Sequence, residues 1–143
     1  MLYEKKRTFG REPIDLASAA FAVGAQVYVG QAISTVASTA ETLDFEADNQ
    51  HFPDENTLEV FGWENAASAA KGATVLVKLQ SSRTGESWAD EVSFALNESE
   101  IIKDKLIRRF TIPSNTMRHM RLLMQVGTEV FTSGKILAFV RPL

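Results

Sequence analysis

The chain has 143 residues, a net charge of −3 and no cysteine. This length predicts one domain, and 45% hydrophobic with 23% charged residues is typical of a globular protein. The absence of cysteine excludes disulfide frameworks, thiol catalysis and cysteine-ligated zinc, while the small net charge gives no indication of a nucleic-acid partner.

Residues 1–15 are polar and contain Gly10 and Pro13, so we expect an N-terminal arm followed by a single domain over residues 16–143. The run from Leu16 to Val29 follows basic residues, as in a signal peptide. Two acidic residues and a proline precede it, however, and it is too short to span a membrane. We therefore expect a protein that is neither exported nor membrane-bound.

Short β-rich runs then follow one another, separated by Gly, Pro, Asn and Ser. Alternation is clearest where Val75, Val77 and Leu79 share one face. Between the fifth and sixth runs, Asn97 is predicted to cap one helical turn. The predicted strands are eight in number: Gln26–Ser34, Thr42–Glu46, Thr57–Trp63, Ala73–Leu79, Glu91–Leu96, Lys105–Ile112, Arg118–Val126 and Lys135–Arg141.

Eight strands without alternating helices predict an all-β fold, an antiparallel eight-stranded β-sandwich. Eight is also the number of strands in a jelly roll, which we therefore expect. The last two predicted strands are separated by a Gly- and Ser-containing turn, so we expect them to pair as a long hairpin. In the first of them, Leu122, Met124 and Val126 are predicted to share one face.

No catalytic motif occurs in the sequence, and we expect neither an enzyme nor a bound cofactor or metal. His51 and His119 are isolated and do not form a metal-binding pair. The acidic residues Asp44, Glu46 and Asp48 are an alternative calcium site, but they lack the glycine and terminal glutamate of an EF-hand loop. In a strand, these three side chains would simply share the solvent face.

Charge is distributed unevenly along the chain. Eight acidic residues and no Lys or Arg lie between Glu41 and Glu64, whereas six basic residues and one acid lie between Lys103 and Arg121. Such segments suit contacts between copies or with a charged neighbour, although solvated faces explain them equally. Trp63 and Trp88 are candidates for an interface anchor or a stacking platform, with simple packing as the alternative.

Several segments resemble the small jelly-roll cement (decoration) proteins of tailed bacteriophages. The resemblance covers roughly residues 57–143. The segments that carry it are Val75–Ser82, Trp88-Ala89-Asp90, Thr111-Ile112-Pro113, Arg121–Thr128 and Gly134–Ala138.

The resemblance implies a structural virion protein, made in the host cytoplasm, that sits on the outer capsid surface as a homotrimer. Its partners would be its own copies and the phage major capsid protein, with no nucleic acid and no membrane. A basic arm with aromatic residues suits docking on an acidic shell, so the predicted capsid-contact residues are Tyr3, Lys5, Lys6, Arg7, Phe9 and Arg11. The alternative function is a carbohydrate-binding or receptor-adhesion β-sandwich that uses Trp63 or Trp88.

Overall fold

The computed structural model describes residues 8–10, 12–30, 43–44, 56–84, 86–113 and 119–142. These residues form an all-β fold, and no helix among them has the length and apolar character needed to cross a bilayer. The strands in the described ranges are β1 (Ile14–Asp15), β2 (Gln26–Val29), β3 (Leu43–Asp44), β4 (Asn56–Ser68), β5 (Thr74–Ser82), β6 (Ala89–Asn97), β7 (Leu106–Thr111), β8 (His119–Gly127) and β9 (Phe131–Pro142).

The strands form two antiparallel sheets packed as a sandwich. Sheet I has the order β1-β9-β4-β7, and sheet II has the order β2-β8-β5-β6, with β3 also pairing with β8. Four strand pairs are nested in sequence, each lying between the two strands of the previous pair: β1–β9, β2–β8, β4–β7 and β5–β6. This nested order is that of a jelly roll, which confirms the predicted fold class.

The predicted strands correspond to β2 through β9, and only the two-residue β1 was not predicted. The expected alternation in β5 and β8 is confirmed, because the inward side chains of both strands are buried in one core. Strand β4 runs on to Ser68, five residues beyond the predicted end at Trp63, through a segment rich in small residues. It continues because β9 provides pairing partners there, across several register shifts.

The prediction of a hairpin between the last two strands is wrong. β8 lies in sheet II between β2 and β5, whereas β9 lies in sheet I between β1 and β4. β8 pairs with β2 and β3 on one edge and β5 on the other, and β9 pairs with β1 and β4, so neither has a free edge for the other. The connection between them instead crosses from one sheet to the other, and Thr128 adopts a left-handed backbone with φ 69°.

The described residues near the N-terminus are integrated into sheet I. The Phe9 amide donates a hydrogen bond to the Ala138 carbonyl at 2.9 Å, and the Phe9 side chain is fully buried in the core. Ile14 pairs with Ile136 and is also buried. Residues 8–10 and 14–15 therefore pack against the sandwich, although they fall within the predicted arm.

Two acidic side chains fasten the connections between strands. The Glu129 carboxylate accepts the backbone N–H groups of Ala70 at 2.8 Å and Gly72 at 3.2 Å, which joins the β4–β5 and β8–β9 connections. Glu100 ends a single turn of 3-10 helix (Glu98–Glu100) and accepts the Asn97 amide at 3.0 Å, in the turn predicted at Asn97. These contacts hold exposed loops to the body of the fold.

Glu100 also contacts Arg108 of β7 at 2.6 Å. The hydrogen bond from the Asn97 amide is the main cause that lowers the pKa of the Glu100 carboxyl, and Arg108 lowers it further. A carboxyl whose pKa is lower in the folded state stabilises the fold above its unfolded pKa, and this contribution is lost as the pH falls through the folded pKa.

We predict that Glu100→Gln lowers the free energy of unfolding at pH 7 by up to about 1 kcal/mol, because a partly exposed ionic hydrogen bond is lost. The difference from the unsubstituted chain should shrink as the pH falls below about 4.5, the ordinary carboxyl pKa. Urea unfolding between pH 3 and 7 measures the loss of unfolding free energy and its dependence on pH. The matched control is Glu86→Gln at an exposed carboxylate, and an equal, pH-dependent loss in this control would contradict the prediction.

Candidate functional site

Trp88 is part of a stack on the outer face of sheet II. The Arg121 guanidinium carbon lies 4.1 Å from the centre of the Trp88 ring and 4.0 Å from the centre of the Tyr28 ring. Tyr28 and Arg121 belong to the neighbouring strands β2 and β8, while Trp88 immediately precedes β6. The guanidinium is thus held between two aromatic rings, and each such contact stabilises by about 0.5–2 kcal/mol.

Two hydrogen bonds and one ion pair continue from this stack across the outer face of the sheet. Arg121 Nε donates to Gln80 Oε1 at 2.9 Å, and Gln80 Nε2 donates to Asp90 Oδ1 at 2.8 Å. Lys78 Nζ lies 3.5 Å from Asp90 Oδ2. The hydrogen bond from Gln80 is the main cause that lowers the pKa of the Asp90 carboxyl, and the charge of Lys78 lowers it further. Three neighbouring strands, β8, β5 and β6, are therefore linked through their outward side chains.

Trp88 is consequently engaged in a contact within the fold. Its side chain is only partly exposed, and one ring face is covered by the Arg121 guanidinium. A bound sugar or partner residue would have to displace that cation or use the opposite face. The arrangement makes Trp88 a packing residue of this sheet face.

Trp63 lies in a different environment, on sheet I. Its side chain is 39% exposed and lines a hollow of about 310 Å³. The other residues of the hollow are all charged and come from three separate parts of the chain: Glu64 in β4, Lys103 and Asp104 in the β6–β7 connection, and Lys135 in β9. Lys135 Nζ lies 4.0 Å from Glu64 Oε2, and Glu64 Oε1 also accepts the Gly134 amide at 3.4 Å.

A close backbone approach at Gly62 positions this hollow. The Gly62 amide donates to the Lys105 carbonyl at 2.9 Å, and the Gly62 carbonyl accepts the Asp104 amide at 2.8 Å. A Cβ at residue 62 would lie 1.9 Å from the Ile102 carbonyl oxygen, so only glycine fits. The β6–β7 connection is therefore held directly beside Trp63. The sequence shows this glycine but not what it contacts.

Of the six predicted capsid-contact residues, the structure describes only Phe9. Phe9 is fully buried in the core, so its side chain is not presented to a partner, which removes it from the candidates. The other five predicted contact residues lie outside the described residues: Tyr3, Lys5, Lys6, Arg7 and Arg11. The two tryptophans are not brought together, since Trp63 belongs to sheet I and Trp88 lies at sheet II.

The candidate metal residues are only partly described. Glu46, Asp48 and His51 lie outside the described residues, as does the side chain of Asp44. Within the ranges that the structure describes, no group of three or more His, Asp or Glu side chains is placed to hold a metal ion.

A buried carboxylate that sequence reasoning missed lies on the outer face of sheet I. Glu59 is 1% exposed; one of its carboxylate oxygens lies 3.3 Å from Arg109 of β7 and the other 3.8 Å from Arg141 of β9. The Thr57 hydroxyl donates to this carboxylate at 3.3 Å. The sequence does show Glu59 between two apolar residues of a predicted strand, which could have indicated a buried carboxylate. Its arginine partners could not be identified, because they are distant in sequence.

We predict that Gly62→Ala destabilises the fold by roughly 1–3 kcal/mol or more, because the added Cβ meets backbone atoms that have no room to move. The urea midpoint measures this change. Gly72→Ala is the matched control, since its nearest new contact is 3.4 Å away and is the end of the flexible Glu129 side chain. Equal midpoints for the two variants would contradict the proposed close approach.

Comparisons with known proteins give a family and several distant structural similarities, two of which are described below. A search of curated proteins found no match. A crystal structure of PirA is 10% identical, with a TM-score of 0.46, over 91% of this chain and 92% of that one. A Xylanase10C mutant from Cellvibrio japonicus in complex with xylopentaose is 13% identical, with a TM-score of 0.38, over 92% of this chain and 28% of that one.

The family match covers most of the domain. The profile of the Bbp16 family matches residues 27–140 of the 143-residue chain. This range runs from Val27 in β2 to Val140 in β9, so it includes strands of both layers of the sandwich and both tryptophans. The chain belongs to the Bbp16 family.

Proposed function

We propose that the chain is a structural virion protein, a cement that binds the outer surface of a tailed-phage capsid as a homotrimer and stabilises the shell. The observation that carries the proposal is how the segments resembling cement proteins come together. Val75–Ser82 lies in β5 and Arg121–Thr128 spans most of β8, and these two strands pair side by side. The two longest of the five segments therefore form one paired unit, and Trp88–Asp90 lies beside it at the start of β6, whereas Thr111–Pro113 and Gly134–Ala138 lie in or next to strands of sheet I.

A cement role requires a rigid body rather than chemistry. Internal DNA pressure strains the contacts between capsid subunits, and a protein that bridges them has to resist deformation. The long β4–β9 pairing, the charge cluster around Glu59 and the clamp formed by Glu129 are all contacts that stiffen the sandwich. Many identical contacts of moderate strength would then act together, because multivalency converts them into strong retention.

The basic N-terminal segment is the proposed contact with the shell. Tyr3, Lys5, Lys6, Arg7 and Arg11 remain the candidate residues, because each offers a positive charge or an aromatic ring to an acidic surface. Phe9 does not contact the shell in this proposal. Since it is buried in the core next to β9, it anchors the segment to the sandwich.

We predict that the purified chain has a mass near three times 15.8 kDa in light scattering across a dilution series. The homotrimer should also co-sediment with shells assembled from the major capsid protein of the same phage. A chain that stays monomeric in solution and on the shell would contradict the trimer. A chain that does not co-sediment at all would contradict the cement function.

We predict that the triple variant Lys5→Gln, Lys6→Gln, Arg7→Gln binds these shells more weakly, because it removes three positive charges. Substitution is a cleaner test than deletion, since a deletion reaching Phe9 would remove a core side chain. The matched control is Lys71→Gln, Arg83→Gln, Lys105→Gln, which removes three exposed charges elsewhere. Equal occupancy for both variants in co-sedimentation at low salt would contradict the role of the arm.

A further inference from the structure

We propose that Glu100 and Arg108 close the free edge of β6 and so prevent this strand from pairing with a second copy of the chain. β6 is the last strand of sheet II in the order β2-β8-β5-β6, and within the described ranges it pairs with β5 alone. The opposite edge of such a strand carries backbone N–H and C=O groups that a further strand could use. The proposal does not depend on the cement function, because it involves neither the shell nor the N-terminal residues.

Two hydrogen bonds identify the backbone groups that lie at this edge. The Asn97 amide donates to Glu100 Oε1 at 3.0 Å, and Arg108 Nη2 donates to the Ala95 carbonyl at 3.4 Å. In an antiparallel pair, the N–H and C=O groups of one residue point to the same side of the strand, and successive residues alternate. Since the register against β5 is regular from residue 92 to residue 97, Ser93 also directs its backbone groups toward the open edge.

The two side chains that make these bonds also hold each other. Arg108 Nη2 lies 2.6 Å from Glu100 Oε2, so one guanidinium contacts both this carboxylate and the Ala95 carbonyl. Arg108 Nη1 donates to the Ile107 carbonyl at 2.9 Å, which keeps the side chain beside its own strand. That strand is β7, at the edge of sheet I. The ion pair therefore spans the open side of the sandwich and covers the end of the β6 edge nearest Asn97.

The rest of the β6 edge shows why this closure matters. Edge strands commonly avoid pairing through a lysine, a proline or a bulge. Residues 92–97 of β6 include no charged residue and no proline, they have no register shift against β5, and Ser93 and Ala95 are small and exposed. Such an edge is well suited to pairing with another strand.

A second copy of the chain fits this edge because antiparallel pairing is self-complementary. With Ser93 opposite Ser93 about a two-fold axis, the N–H group of each copy meets the C=O group of the other. The same register requires the Ala95 carbonyl to accept a hydrogen bond from the partner strand. The Arg108 guanidinium already occupies that carbonyl. The ion pair therefore blocks this association at its second hydrogen-bonded position.

The first test is light scattering on the full chain and on its Arg108→Ala variant across a dilution series. At the highest concentration, we expect the mass of the variant to be at least twice that of the unsubstituted chain, whatever the oligomeric state of the latter, and to return to it on dilution. Arg83→Ala is the matched control, because it removes an exposed guanidinium elsewhere and should leave the mass unchanged. Equal masses for Arg108→Ala and the unsubstituted chain would overturn the proposal.

A second substitution distinguishes strand pairing from the association of unfolded chains. Ser93→Lys in the Arg108→Ala background places two lysines opposite each other at the two-fold axis, so the mass should return to that of the unsubstituted chain. Ser18→Lys in the same background is the control, since it adds the same charge at an exposed position outside β6. The proposal fails if Ser93→Lys does not lower the mass, or if Ser18→Lys lowers it equally.

Amide hydrogen exchange tests the edge without any substitution. In the unsubstituted chain, the Ser93 and Ala95 amides should exchange rapidly, whereas the Asn97 amide should be protected by its bond to Glu100. In concentrated Arg108→Ala, the Ser93 amide should become protected, because it then donates to a second copy. A Ser93 amide that is already protected in the unsubstituted chain would show that the edge is not free, and would overturn the proposal.

Discussion

The pairing of β5 with β8 is the constraint on which the rest of the structure depends. Nine consecutive residue pairs, from Thr74 opposite Gly127 to Ser82 opposite His119, run without a register shift. Because side chains alternate across a strand, this register places one apolar face of each strand, such as Val77 and Met124, in the core and directs Arg121 and Gln80 outward. A slip by one residue would exchange the two faces and bury the arginine.

Sheet I is less regular than the β5–β8 pair, because β4 shifts register against both of its neighbouring strands. The β4–β9 pairing shifts register after Gly62, and β4 also shifts against β7 after Val60. A bulge bends a strand and redirects the side chains that follow. Trp63 lies at this shift, between Gly62 and Glu64, and lines an open hollow. The β5–β8 pairing in sheet II is thus regular, whereas the bulged part of β4 in sheet I shapes the surface around Trp63.

The cement proposal assigns shell binding to charged residues near the N-terminus, and the buried Phe9 side chain anchors that part of the chain to the core. In the described part of the chain, the Glu129 carboxylate and several backbone hydrogen bonds hold the connections between strands against the sandwich. A stiff jelly roll suits the proposed cement role, because that role requires a body that resists deformation.

The sequence by itself determined the fold class and almost every strand, because strict alternation in segments such as Val75–Leu79 is a local signal that survives in the structure. It did not determine which strands pair. The final two strands lie next to each other in the chain yet belong to different sheets, since β8 and β9 each pair on both edges with strands far away in sequence. For the same reason, only the tertiary structure brought Glu59 between two arginines, packed Arg121 against Trp88 and left Trp63 exposed. Contacts between residues distant in sequence depend on how the strands pair and the sheets pack, and a local sequence pattern does not predict either.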